Sequence, residues 1–272
     1  MNSGVIVTGA NGFIGSNFIN KIKKESLIFV DKSNLSFRDF SNEKVNDLEK
    51  NFSKIYLFHL ATYYSKSTND EEKIYDANIL FGKKLLDKLD SVNLHKIVYT
   101  NTMFNFYKDQ NLRNLYYTNT KLEFTKLIER SINKKRTYLE EIYLDNTFGT
   151  GDKRKKIINL ILDSVKNNKP SPIENEETYI NLVHVNYVIE RLFLAIKRNN
   201  ERKSAFVAYN TVNLLSIYNF LKHYKEKGKV EKSLLRYSEN EYLDSSLDII
   251  YENIKIPDLS SELINLYDDY VL

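Results

Sequence analysis

The chain has 272 residues, 42% of them hydrophobic, which suffices for one large domain or a main domain with a small lobe and excludes general disorder. With 40 basic and 36 acidic residues the net charge is only +4, too small an imbalance to imply nucleic acid. There is no cysteine, so disulfides and thiolate zinc sites are excluded, and no other pattern calls for a metal.

The amino-terminal residues show no basic-then-apolar leader. No apolar run approaches the roughly 20 residues of a membrane span. A soluble cytoplasmic protein is expected. Residues 4–8, Gly-Val-Ile-Val-Thr, are a β-branched run suited to a strand buried on both faces. Gly9, Gly12 and Gly15 follow, three of only eight glycines, and a helix begins within residues 13–19. A second strand is predicted at 26–31, ending on Asp31, and a third at 54–60. Residues 74–89 have helical spacing. Residues 95–100 read as a strand, 117–132 as a helix, and a further strand lies within 137–146.

This alternation predicts an α/β fold: a Rossmann-type doubly wound parallel sheet built from right-handed βαβ units. Prolines occur only at 170, 172 and 257. Beyond about residue 150 helical stretches mix with short strands such as 205–210. Residues 1–150 are therefore expected to form a dinucleotide-binding domain. Residues 151–272 are expected to form mostly a small substrate-binding lobe, with some segments returning to the core. The densest basic run, Lys153-Arg154-Lys155-Lys156 beside Asp152, reads as a solvated face or a small-anion contact.

The glycine cluster lies between a strand and a helix. Gly9 permits a tight turn, Gly12 lets backbone approach a pyrophosphate, and Gly15 lets the helix pack closely. Unpaired N–H groups at the helix start would carry the phosphates. Asp31, 22 residues beyond Gly9, can accept from ribose hydroxyls. The cofactor is therefore NAD or NADP. Asp31 favours NAD, while Lys32 can offset repulsion of a 2′-phosphate and Ser33 can donate to it.

Tyr117 and Lys121 stand four apart on one helix face. A free phenol titrates near 10. A nearby ammonium, with the positive charge of an oxidised nicotinamide, favours the phenolate, so the pair can move a proton to or from a carbonyl oxygen. The preceding strand ends in Thr100-Asn101-Thr102, where hydroxyls face the ligand crevice of a parallel sheet. Thr102 could hold the same oxygen. Tyr63, Met103 and Phe104 follow strand ends and are expected to wall the substrate pocket. His59 lies in a cofactor-site strand and need not titrate, and His95, His184 and His223 read as surface or packing residues.

On these motifs the chain resembles the extended short-chain dehydrogenase/reductase family of nucleotide-sugar epimerases, dehydratases and reductases. T-G-x-x-G-F-I-G is found at residues 8–15, H-L-A at His59-Leu60-Ala61, Y-x-x-x-K at Tyr117 and Lys121, and N-x-x-G at Asn146 to Gly149. The resemblance implies that Asn11, Phe13, Ile14, Leu60, Ala61, Thr62, Asn78 and Thr100 join the three glycines against the cofactor. Asp39 would contact adenine. Tyr117 and Lys121 would touch the cofactor as well as catalyse, Thr102 would take the catalytic hydroxyl position, and Asn146 would lie near the substrate diphosphate. The family's R-D-x-x-x-V-x-D-V is altered at residues 180–188, where the arginine and both acids are replaced.

Dehydratases of the family follow the threonine with Asp-Glu, but Met103-Phe104 carry no proton. Its C4 epimerases are usually longer. Residues 146–156, with Lys169-Pro170, are most similar to the 4-ketoreductases of deoxyhexose biosynthesis. The resemblance thus implies NAD(P)H-dependent reduction of the C4 keto group of a CDP- or dTDP-linked 4-keto-6-deoxysugar, for surface polysaccharide such as lipopolysaccharide or capsule. A C4 epimerase with tightly bound NAD is the alternative, and a non-catalytic dinucleotide-binding protein a third. A homodimer is implied through the helices at 74–89 and 117–132, which carry surplus apolar residues Leu80, Leu86, Leu122 and Phe124.

Overall fold

Strand β1 (Ser3–Thr8) is buried at every position after Ser3, as a strand covered on both faces must be. The computed structural model describes residues 3–24, 28–29, 50–133, 135–197, 203–206, 210–238 and 258–272. Around β1 lie β2 (Ile28–Phe29), β3 (Lys54–His59), β4 (Leu94–Thr102), β5 (Tyr138–Leu144) and β8 (Lys203–Phe206), in the order β2-β1-β3-β4-β5-β8. All five pairings are parallel. The doubly wound parallel sheet expected from the alternation is present.

Helices cover both faces. On one, α1 (Phe13–Lys24) and α7 (Val185–Lys197) bury Phe18, Ile22, Val188 and Leu192 against Val5, Val7 and Phe58. On the other, α3 (Phe81–Lys88) and α5 (Tyr116–Ile132) bury Leu85, Phe124 and Ile128 against Ile6, Leu57 and Ile97. The helix predicted at 74–89 starts earlier and is interrupted: α2 (Glu71–Tyr75) runs through a π turn, Asp76–Leu80, into α3. A one-turn helix α4 (Gln110–Arg113) precedes α5. Among the apolar residues read as surplus, Leu86 and Phe124 are 9% and 1% exposed and belong to the core, whereas Leu122 is 40% exposed.

A smaller sheet follows: β6 (Asn146–Phe148) parallel to β7 (Tyr179–His184), which pairs antiparallel with β9 (Asn210–Asn213). With α6 (Ile157–Lys166), α8 (Leu214–Lys227) and α9 (Leu259–Val271) it builds a separate apolar cluster around Ile161, Leu162, Phe220 and Leu263. The strand expected at 205–210 divides. Lys203–Phe206 closes the main sheet, Asn210–Asn213 joins the small one, and 207–209 lie outside the described residues.

The chain passes back from the small sheet to the large one through α7. A buried ionic cluster fixes that return. Lys96 on β4 lies 2.9 Å from Glu140 on β5, and Arg191 on α7 lies 2.5 Å from the other Glu140 oxygen. Lys96 also donates to the Ala195 carbonyl at 2.9 Å, so its buried ammonium has two acceptors. Among the described residues no helix is long and apolar enough to cross a membrane.

Candidate active site

At the carboxyl end of β1 the chain turns on Gly9, whose φ is +71°. A Cβ there would lie 2.7 Å from the Ala61 nitrogen, and one on Gly15 would lie 2.1 Å from the Gly9 carbonyl oxygen. Glycine is thus required both for the turn and for seating α1 upon it. Asn11 and Gly12 are exposed, Phe13 half-buried, and the first turn of α1 holds no acidic residue. The positive end of the helix stays unneutralised by its own side chains.

Thr8 staples the end of β3 to this turn. Its Oγ1 accepts from the backbone N–H of Leu60 and Ala61, each at 3.2 Å, and lies 3.0 Å from His59 Nδ1. With both N–H groups on its oxygen, Thr8 gives its proton to Nδ1, which leaves the imidazole proton on Nε2. Burial, and then the Lys121 charge, push the His59 pKa down to about 3. The ring packs among Phe81, Tyr99 and Phe124. His59 is a neutral packing residue.

Asn78 sits in the π turn, 2% exposed. Its Oδ1 accepts from Thr62 Oγ1 at 3.0 Å and the Tyr63 N–H at 2.8 Å. Its Nδ2 donates to the Tyr63 carbonyl at 3.1 Å and to Thr120 at 3.2 Å. The amide that the family pattern placed against the cofactor is fully engaged with protein and fixes the 62–63 loop instead.

A cavity of about 120 Å³ opens at the carboxyl ends of β4 and β5. It brings together Ile14, Leu60, Thr62, Thr100, Thr102, Phe104, Tyr117, Lys121 and Asn146 from the sequence-predicted set. Tyr63 and Met103 are not in its wall. Tyr63 is 37% exposed and its neighbour Tyr64 takes the place, while Met103 is 1% exposed in the apolar core. Asp31, Lys32, Ser33 and Asp39 lie outside the described residues. A larger hollow of about 460 Å³, walled by Glu129, Arg130, Thr137 and Tyr138, lies at the amino end of β5. That is the end opposite the ligand crevice of a parallel sheet.

Tyr117 and Lys121 are both buried on α5. Burial pushes the Tyr117 phenol up to about 12, against the lowering pull of Thr62 and Arg154. This differs from the depression expected of a neighbouring ammonium. The physical reason is the burial of the phenol itself, and Lys121 beside it is desolvated too. Its pKa is pushed down to about 7 by burial, with Glu141 opposing, and its Nζ rests 4.3 Å from the Tyr99 ring centroid. Thr102 caps the turn that follows β4 by accepting from the Phe104 N–H at 3.3 Å. Asn101 points the other way, to Thr125 and Glu141.

Several groups in this wall were not singled out from sequence as site residues. Asp145 precedes Asn146 at the sheet edge. Its carboxylate accepts from Tyr107 Oη (2.7 and 2.9 Å), Asn181 Nδ2 (2.9 Å) and the Asn146 N–H (2.9 Å) and Nδ2 (3.0 Å). Burial raises its pKa to about 6 in spite of these bonds. Asn181 stands where the family pattern has an acid, and in this cluster the carboxylate is that of Asp145. Arg154 forks onto Asp152 with two 2.6 Å bonds, donates to the Thr147 carbonyl at 3.0 Å, and lies 4.7 Å from the Phe13 ring. Lys156 Nζ lies 4.4 Å from the Tyr64 ring, whose centroid is 4.9 Å from that of Tyr117.

A glycine turn on a doubly wound sheet, opposite a buried Tyr–Lys pair, defines a dinucleotide-dependent enzyme of the α/β class. The chain belongs to the NAD dependent epimerase/dehydratase family, whose model matches residues 5–211. It is 27% identical over 223 residues to a CDP-abequose synthase of Salmonella typhimurium (strain LT2), covering 75% of this chain and 73% of that one. A CDP-abequose synthase of Yersinia pseudotuberculosis is 22% identical over 210 residues, 72% of this chain and 74% of the relative. Among solved structures, MoeE5 in complex with UDP-glucuronic acid and NAD superposes with a TM-score of 0.75 at 16% identity, over 98% of both chains. The UDP-glucose 4-epimerase of Thermotoga maritima, solved with UDP-glucose, gives 0.73 at 15% identity, also over 98% of both. These two share the fold.

Proposed function

We propose that the protein reduces the C4 keto group of a nucleotide-linked 4-keto-6-deoxysugar with NADH or NADPH, in the cytoplasm, as a step toward surface polysaccharide. The observation that carries this is Tyr117 in one cavity with Lys121 and Thr102. From there the phenol can give a proton to a developing alkoxide.

The glycine turn fits a dinucleotide: Gly12 is exposed and the start of α1 is uncompensated by acids. Gly9, Gly12, Gly15 and Ile14 would hold the pyrophosphate side, with Leu60, Ala61, Thr62 and Thr100 beyond them. When bound, the nicotinamide supplies the hydride. Tyr117 donates its proton to the sugar oxygen, Thr102 orients that oxygen, and Lys121 returns a proton toward the phenol and holds the nicotinamide ribose. Phe104 and Tyr64 wall the sugar. The 27% and 22% identical relatives are CDP-abequose synthases, which favours a CDP-linked sugar over a dTDP-linked one.

The test is a panel of CDP-, dTDP-, GDP- and UDP-linked 4-keto sugars with purified protein, following nicotinamide absorbance. Stoichiometric oxidation of NAD(P)H with at least one of them is expected. Interconversion of C4 epimers without net cofactor oxidation would instead establish an epimerase. The exposed faces of Tyr75 and Leu122, 36% and 40% accessible, are where two subunits would pair. Light scattering at micromolar concentration should give a homodimer, and a monomer would overturn that assembly.

A further inference from the structure

Asn146 occupies the position at which the family pattern places a donor to the substrate diphosphate. Here its donors are spent. Nδ2 is given to Asp145 at 3.0 Å and to the Asn181 carbonyl at 3.2 Å, and its backbone N–H also goes to Asp145. Two acceptors fix the amide orientation, so Asn146 can offer the cavity only its Oδ1. An acceptor oxygen beside the ionised Asp145 repels a phosphate and suits a hydroxyl.

Across the same cavity Lys156 is in the reverse condition. It is half-buried, its ammonium makes no hydrogen bond or ion pair among the described residues, and it rests on the face of Tyr64. Burial and the nearby positive charges of Arg154 and Lys66 push its pKa down, with only Asp152 opposing. Asp152 is already forked onto Arg154. A cation–π contact is a weak partner for an ammonium compared with a charge-assisted hydrogen bond. An anion entering here would relieve the repulsion among three cations and regain the solvation that Lys156 has lost.

We propose that Lys156, moving off the Tyr64 ring, holds the diphosphate of the substrate, and that Asn146 does not. The assignment rests on the nucleotide-sugar reading above. It favours the substrate's diphosphate over the cofactor's because the glycine turn already provides the cofactor's phosphates with backbone donors on the sheet side, while Lys156 stands with Asn146 on the lobe side. Tyr64 touches both Lys156 and the Tyr117 ring, so departure of the ammonium would also free the ring that packs on the proton donor.

The experiment is calorimetric titration of the full-length protein with CDP, UDP, inorganic pyrophosphate and NADH in separate arms. Lys156→Met should weaken nucleoside diphosphate binding about tenfold or more, the scale of one charge-assisted bond. Binding of NADH should stay within about twofold. Lys156→Arg should restore most of the loss, and Asn146→Ala should cost less than Lys156→Met. Equal affinity in wild type and Lys156→Met, with wild type binding CDP or UDP, overturns the clamp and leaves the nucleotide-sugar reading standing. Loss confined to the NADH arm assigns the cation to the cofactor and overturns the proposal. Binding of pyrophosphate through Lys156, with no nucleoside diphosphate bound by wild type, supports the clamp and removes the nucleotide-sugar reading.

Discussion

On the sheet side of the cavity the chemical groups are sealed in: Thr102, Tyr117 and Lys121 are all buried, each on β4 or α5. On the lobe side Arg154 is exposed, Lys156 is half-buried, and Asn146 and Thr147 lie on a three-residue strand. The difference separates two tasks. Proton transfer needs groups whose pKa values are set by desolvation and whose positions do not drift. Recognition of a charged ligand needs cations that an incoming ligand can reach. The join between the regions is itself polar and buried, through Asp145 with Tyr107 and Asn181, and through Glu140 with Lys96 and Arg191.

That join offers the harshest way to test the comparison. Glu140→Gln would leave Lys96 and Arg191 buried with no anion between them, at a cost of about 3–5 kcal/mol. Urea unfolding should show the loss as a lower midpoint. A change below about 1 kcal/mol would show that α7 is held to the sheet by its apolar contacts alone. Next in size is the sheet side's own chemistry. Tyr117→Phe should lower turnover about 100-fold or more, the scale of a lost general acid, with cofactor affinity nearly unchanged. Near-normal turnover would remove Tyr117 from the mechanism.

The sheet side was also the legible side. The glycine turn, the strand ends and the Tyr–Lys spacing depend on local geometry, which a sequence displays directly. The doubly wound sheet followed from alternation alone. Asp145 was not legible, because its value depends on β6 pairing with β7 so that Asn181 meets it. The basic run at 153–156 reads equally well as a solvated face. Only the fold shows that Arg154 and Lys156 line the cavity while Lys153 and Lys155 do not. Asn78 carried a motif but not its use, since the π turn that aims it at the 62–63 loop leaves no clear signature in the residues.

Desolvation of the sheet side can be sharpened by titration. Lys121 has a folded pKa of about 7 against 10.5 for the free side chain. Between those values the unfolded chain binds more protons, so stability rises with pH from 7 toward 10.5. Below pH 7 the full cost of the buried ammonium is present. Lys121→Met should therefore stabilise the protein by about 2 kcal/mol at pH 6, once the lost contact with Tyr99 is offset, and by progressively less toward pH 10. A difference that does not shrink as pH rises would mean that the ammonium is solvated.

The smallest effect expected concerns the cofactor's ribose end, at residues 31–33, beyond the described part of the sheet side. A carboxylate at Asp31 would accept from both ribose hydroxyls of NAD and would repel a 2′-phosphate. Lys32 would supply one flexible ammonium and Ser33 one hydroxyl, a weaker phosphate anchor than an arginine fork. Opposed terms of similar size predict use of both cofactors, with at most about a tenfold preference, equivalent to about 1.4 kcal/mol. Lys32→Ala should weaken NADPH binding and leave NADH nearly unchanged, as read by fluorescence titration of each. Equal loss for both cofactors would place Lys32 away from the ribose. A wild-type preference of about a thousandfold in either direction would mean that one of the two opposing groups does not reach the 2′ position at all.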